Sequence, residues 1–108
     1  MRVYNMESAR SGRPVANQFV IVDNNKLVFQ SYDSMIVTID KATSTITFGK
    51  NWNYSVTTSK YRNQFLDMYF PKLADTKLLK MMAEMARALG GSFDYQLGAF
   101  IYTIVFEN

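Results

Sequence analysis

The stretch Ala99–Glu107 constrains the fold of this chain more than any other. Phe100, Tyr102, Ile104 and Phe106 alternate with Ile101, Thr103 and Val105, so both faces of a strand here carry apolar or β-branched side chains. Such a strand belongs inside a sheet or in an interface. It follows two helical stretches, so the sheet has to accept its last strand from the far end of the chain.

Five further strands, each followed by a turn or a stop, fill in that sheet. Arg2–Met6 reads as a short first strand, followed by a polar loop, Glu7–Pro14, punctuated by Gly12 and Pro14. Gln18–Asp23 alternates with Phe19 and Ile21 on one face and Val20 and Val22 on the other, the pattern of a central strand. Asn24-Asn25 predicts a type I′ hairpin, because Asn tolerates the positive φ that turn requires, and Lys26–Gln30 returns as the partner. Ser31–Ser34 interrupts as a bulge or tight turn before Met35–Asp40, in which Met35, Val37 and Ile39 share a face. Lys41–Ser44 turns the chain again, and Thr45–Phe48 returns, ended by Gly49.

The middle of the chain changes period. In Asn51–Leu66, Trp52 and Tyr54 precede three candidate N-caps, Thr57, Thr58 and Ser59. Tyr61, Phe65, Met68 and Tyr69 then recur at helical spacing, with Lys60, Asn63 and Asp67 outward. This helix, from about Thr58, has to stop near Phe70, because Pro71 disfavours an α conformation in the residue before it. A second helix runs from Asp75 or Thr76 to Leu89, closed by Gly90-Gly91. Leu78, Met81, Met82, Met85 and Leu89 form its main stripe, widened by Leu79, Ala83 and Ala86; Lys77, Lys80, Glu84 and Arg87 oppose it. The three methionines read first as core that packs this helix on the sheet, and second as an adaptable binding surface. Ser92–Gly98 reads as a connection. The expected architecture is α+β: one domain, residues 1–108, with an antiparallel sheet of five or six strands, two helices packed on one face, and the last strand at the C-terminus.

Composition removes several chemistries. The chain has 108 residues, enough for a core without staples, and it has no Cys and no His. A cysteine nucleophile, a disulfide and the common general base are therefore excluded, and zinc loses its usual ligands. No phosphate loop, dinucleotide fingerprint or nucleophile elbow occurs. Asp23, Asp33 and Asp40 sit in turns or at strand ends, where carboxylates are ordinary. The reading is a non-enzymatic protein with no cofactor and no metal. Residues 1–20 lack a continuous apolar core and nothing approaches a membrane span, so no membrane contact and a cytoplasmic location are expected. A net charge of +3, interspersed along the chain, permits contact with nucleic acid but is no electrostatic footprint, and it counts against a mimic of DNA.

The candidate binding residues are Arg10, Arg13, Tyr32, Trp52, Tyr54 and Lys60. Arg10 and Arg13 flank Ser11-Gly12, and guanidinium forks grip phosphates or carboxylates bidentately. The plainer reading has them solvated and paired with Glu7. Tyr4, Tyr32, Trp52 and Tyr54 could stack bases while Arg10, Arg13, Lys50 and Lys60 track phosphates, although no RNA-recognition signature accompanies them. Aromatics in a small β-rich domain otherwise belong to its core.

Three segments carry a resemblance. Ser31-Tyr32-Asp33-Ser34-Met35-Ile36-Val37, then Trp52-x-Tyr54-Ser55-x-Thr57-Thr58-Ser59-Lys60-Tyr61 with Phe65-Leu66, and Ser8-x-Arg10-Ser11-Gly12-Arg13-Pro14-Val15-Ala16-Asn17-Gln18-Phe19 resemble a family of small proteins encoded by bacteriophages and other mobile elements. The likeness spans residues 3–70 and brings no catalytic residues with it. Tyr61 stands where that family often has His. Small proteins of mobile elements often work by occupying a host protein's surface. The resemblance therefore implies a protein that binds and inhibits a host defence protein, an anti-CRISPR inhibitor of an effector nuclease being the leading case. The alternative is a small nucleic-acid-binding protein using the Arg10–Arg13 loop and nearby aromatics. A structural protein dimerising through an exposed strand is a third reading, so the state is monomer or homodimer.

Overall fold

A computed structural model describes residues 1–108. The elements run β1 (Arg2–Glu7), β2 (Pro14–Asp23), β3 (Lys26–Ser31), β4 (Ser34–Asp40), β5 (Thr45–Phe48), α1 (Val56–Tyr69), a 3₁₀ turn at Pro71–Leu73, α2 (Thr76–Ala88), β6 (Ser92–Leu97) and β7 (Phe100–Phe106). The α+β class holds. The sheet, however, has seven strands in the order β1-β2-β3-β4-β5-β7-β6, and it is mixed. β7 lies between β5 and β6, inside the sheet, as its two apolar faces require. It runs parallel to β5, with Thr45 opposite Thr103 and Phe48 opposite Phe106. The antiparallel expectation fails there because both helices and β6 intervene, and the chain re-enters in the direction of β5.

The seventh strand is Ser92–Leu97, expected to be a mere connection. Phe93, Tyr95 and Leu97 lie opposite Ile104, Tyr102 and Phe100. Ser92, Asp94 and Gln96 occupy the other face, a clean period of two suited to an edge strand with one face to water.

Phe29, Val37, Phe48 and Phe106 stand in register across β3, β4, β5 and β7 and so share one face. Both helices cover that face: Phe65 of α1 stacks on Phe29 with ring centroids 5.9 Å apart, and Ala83 of α2 borders the same small hollow as Phe106. Phe48 and Phe106 stack at 4.6 Å, and Trp52 closes on them edge-on at 6.3 and 5.3 Å.

Several local expectations are corrected. Asn24 is left-handed (φ 52°) but Asn25 is not, so the two-residue β2–β3 loop is not type I′. In β4 the register slips by one residue, Phe29 facing Val37 and Gln30 facing Met35, so Ile36 is the extra residue of a bulge. Ile36 consequently joins Val37 and Ile39 in the core, and Met35 is turned out to solvent. β2 begins at Pro14 rather than Gln18. Helix α1 starts earlier than expected, and its N-cap is Ser55, whose Oγ accepts from the Thr58 N–H; Thr57, Thr58 and Ser59 lie inside the helix. Its buried residues are Thr58, Tyr61, Arg62, Phe65 and Leu66, while Met68 is exposed.

Helix α2 is rotated from the expected stripe. Leu79, Met82 and Ala86 are buried, whereas Met81, Met85 and Leu89 are exposed. Of the three methionines only Met82 packs the helix. The face turned to the sheet joins Leu79 and Met82 with Ala83 and Ala86, and these pack into the same core cluster as Phe93 and Phe106. The opposite, charged face has one ion pair, Arg87–Glu84 at 3.9 Å. No helix is long and apolar enough to cross a membrane.

Gly49 closes β5 where the chain passes close under β4. A Cβ added there would sit 2.1 Å from the Met35 carbonyl oxygen, a backbone atom that cannot swing aside. Gly49→Ala is expected to cost about 1–3 kcal/mol, the range of overpacked cores. A urea midpoint equal to wild type would show that the β4 bulge yields freely.

Candidate functional site

Strand directions gather the loops. β1 to β5 are consecutive antiparallel neighbours, so the β1–β2 loop, the β3–β4 loop and the β5–α1 loop all leave the sheet at the same end. All six candidate residues lie on these loops or in the first turns of α1.

At that end a cleft of about 540 Å³ opens between the β3–β4 hairpin and the start of α1. Ser31, Tyr32, Asp33 and Ser34 form one wall; Asn51, Tyr54, Ser55 and Thr58 contribute to the other. Hydroxyls hold the walls together. Ser31 Oγ and Thr58 Oγ1 share a hydrogen bond at 3.2 Å, Ser55 Oγ donates to Thr58 Oγ1 at 3.1 Å, and Asn51 Nδ2 donates to Ser34 Oγ at 3.0 Å. The N-cap of α1 is thus tied through Thr58 to Ser31 of β3, which fixes the helix start against the sheet. These hydroxyls bond one another and the Thr58 N–H, so their chemistry is that of mixed donors and acceptors for a polar ligand.

Tyr32 is held in an unusual backbone state. Its φ is 53°, the left-handed region that a bulky residue rarely adopts. Two bonds keep it there: its N–H donates to the Asn17 carbonyl at 2.7 Å, and its carbonyl accepts from Gln30 Nε2 at 2.7 Å. Asn17 is itself left-handed (φ 65°). The ring that results is 59% exposed at one lip of the cleft, and Tyr54 is 78% exposed at the other. Beside them Gln18, opposite Ser31 on β2, is fully buried, and neither end of its amide has a partner within the chain.

The remaining candidates are placed elsewhere. Arg10 and Arg13 are exposed in the β1–β2 loop, where Ser8 and Ser11 hydroxyls accept from their backbone N–H groups. Neither guanidinium forms an ion pair, so the expected pairing with Glu7 is absent. Trp52 is half-buried and packs on Phe48 and Phe106, with the Arg62 guanidinium 5.2 Å from its ring centre. Lys60 lies outside the cleft and lines a second hollow between the helices.

Sequence reading missed Arg62, which has no solvent exposure. Its fork is saturated: Nε and Nη2 donate to Asn63 Oδ1, Nη1 donates to the Trp52 carbonyl and Asn53 Oδ1, and Nη2 also donates to Thr76 Oγ1 at 2.7 Å. Burial pulls its pKa down to about 10, still far above neutral, so it keeps its charge. The available signal was spacing: Thr58, Arg62 and Leu66 fall at i, i+4 and i+8, which places the arginine mid-stripe.

No curated protein and no solved structure matches the chain. A sequence family matches residues 1–79, a segment that contains every residue of the cleft between the hairpin and α1. With nearly three-quarters of its length inside that match, the chain belongs to a family described as a family of unknown function (DUF8033).

Proposed function

We propose that this protein works without catalysis, by binding a protein partner through the loop end of its sheet. The carrying observation is the pair of exposed rings, Tyr32 and Tyr54, on the two lips of a hydroxyl-lined cleft. Tyrosine supplies large contact area at low entropic cost and is enriched where interfaces hold most of their energy. The backbone at Tyr32 is fixed by two hydrogen bonds, so the turn that carries the ring has little backbone freedom to lose on binding. Arg10 and Arg13, free of ion pairs, supply cations at the same end. For the class of partner, the support is the resemblance of Ser31–Val37 and Trp52–Tyr61 to proteins of mobile elements. It points to inhibition of a host defence protein, a CRISPR effector nuclease first among them.

The test is binding to, and inhibition of, purified effector nucleases, with capture of other defence proteins beside it. Arg10→Ala combined with Arg13→Ala is expected to weaken a complex about tenfold, or about 1.4 kcal/mol. An unchanged affinity in the double variant would remove the β1–β2 loop from the interface. Failure of every effector and defence protein to bind would remove the partner class.

A second reading, nucleic-acid binding, is favoured by the same gathering of Arg10, Arg13 and the two rings at one end of the sheet. Anisotropy with labelled DNA and RNA separates the two. Binding that survives physiological salt and falls in the double variant supports nucleic acid; binding confined to low salt counts against it.

A further inference from the structure

A second hollow, also of about 540 Å³, lies on the other flank of Ser55, between α1 and the start of α2. Asn53, Ser59, Lys60, Asn63, Thr76 and Lys80 line it, and no carboxylate does. The buried Arg62 reaches three of these residues from within and has only neutral oxygens as partners.

Arg62 decides what the lining can offer. Its fork occupies the side-chain oxygens of Asn53, Asn63 and Thr76. Asn53 Oδ1 also accepts from Ser59 Oγ at 2.8 Å, and Thr76 Oγ1 also accepts from Asn63 Nδ2 at 3.1 Å. The side-chain oxygens of Asn53, Asn63 and Thr76 are therefore consumed as acceptors. The donors are left over: the Thr76 hydroxyl proton, whose oxygen already accepts two bonds and which has no acceptor in the chain, the Asn53 amide N–H groups, and the ammonium groups of Lys60 and Lys80. Neither helix carries an acid in its first turn. The nearby carboxylate of Asp75 is turned to the Lys77 and Leu78 N–H groups as the α2 N-cap. Lys60 rests 5.3 Å from the Tyr61 ring centre and has a four-carbon arm with which to swing. The uncompensated guanidinium below and the two ammonium groups at the rim make one positive, donor-rich recess.

We propose that this hollow is an anion site for a phosphoryl group, either free phosphate or the terminal phosphate of a small ligand. A tetrahedral anion offers several oxygens at once, which matches donors converging from two helices and the β5–α1 loop. Its charge would answer that of Arg62, which no carboxylate of the chain does. The hollow needs no protein partner to be tested.

The experiment is calorimetric titration of the full chain with inorganic phosphate at fixed ionic strength, paired with thermal melting. Saturable binding in the millimolar range or tighter is expected, with a melting temperature that rises with phosphate and not with chloride. Lys60→Gln with Lys80→Gln should weaken binding at least tenfold. Lys26→Gln, at the opposite end of the sheet, should leave it unchanged. No saturable heat, an equal effect of chloride, or an equal loss in Lys26→Gln would each overturn the site. A mononucleotide that binds more tightly than phosphate would assign the phosphoryl group to a larger ligand; equal affinity would assign it to free phosphate.

Discussion

Phe65→Ala is expected to lower stability by about 3–5 kcal/mol, the range for truncating a buried aromatic to a cavity. Phe65 is fully buried near the middle of α1. Its ring stacks on Phe29 at 5.9 Å and tilts against Tyr69 at 5.1 Å, so it joins the helix to the sheet and to its own last turn. The polar contacts between α1 and the sheet are few. Gln64 reaches the Glu7 carbonyl, and the N-cap reaches Ser31 through Thr58. A single domain of this size has about 5–15 kcal/mol in total, so this one change removes a large share. Thermal melting should show a drop of roughly 4–8 °C for each kcal/mol lost. A melting curve that overlays wild type would mean that α1 is not anchored through this ring.

Arg62→Met is expected to cost about 2–4 kcal/mol, although methionine is the more apolar side chain. The loss comes from what remains behind. Asn63 Oδ1 and the Trp52 carbonyl are partly buried and lose their donors, and each such orphan costs about 1–3 kcal/mol. Trp52 also loses the cation over its ring. Arg62→Lys keeps the charge but has no planar fork to reach four acceptors, so it should recover less than half of the loss. Urea denaturation of both variants is the measurement. A midpoint for Arg62→Met equal to wild type would show that waters and the two asparagines close the network unaided. Full recovery by lysine would assign the stabilisation to charge alone.

Arg62 also marks the limit of what the chain discloses as letters. The strands β1 to β5 were legible because short apolar runs, some of them alternating, are punctuated by turn residues such as Gly12, Pro14, Asn24, Asn25 and Gly49. The last strand was legible because a stretch apolar on both faces has only an interior to occupy. β6 was not, since its three large side chains alternate with Ser92, Asp94 and Gln96 in a segment bounded by glycines, which imitates a loop. The rotation of α2 was not legible either. Local spacing favours the bulkier residues as the buried stripe, whereas tertiary packing against the sheet decides which side is covered. Of the site, the two tyrosines and the polar run around Ser55 could be marked from sequence. Their meeting across one cleft depends on strand direction. A buried arginine without an acid runs against every expectation from composition, because its partners are neutral oxygens drawn from four separate residues.

The parallel pairing of β5 with β7 bears on how this chain is made. The strands from β1 to β5 find their partners next to them in sequence, so they can zip together as they leave the ribosome. Thr45 has to wait for Thr103. Through that interval the nascent sheet carries an unsatisfied border along β5, the kind of edge on which neighbouring chains mispair. β5 is four residues long, the shortest strand in the molecule, and its outward positions are threonines. The strand left waiting during synthesis is thus the one with the least edge to offer a stranger.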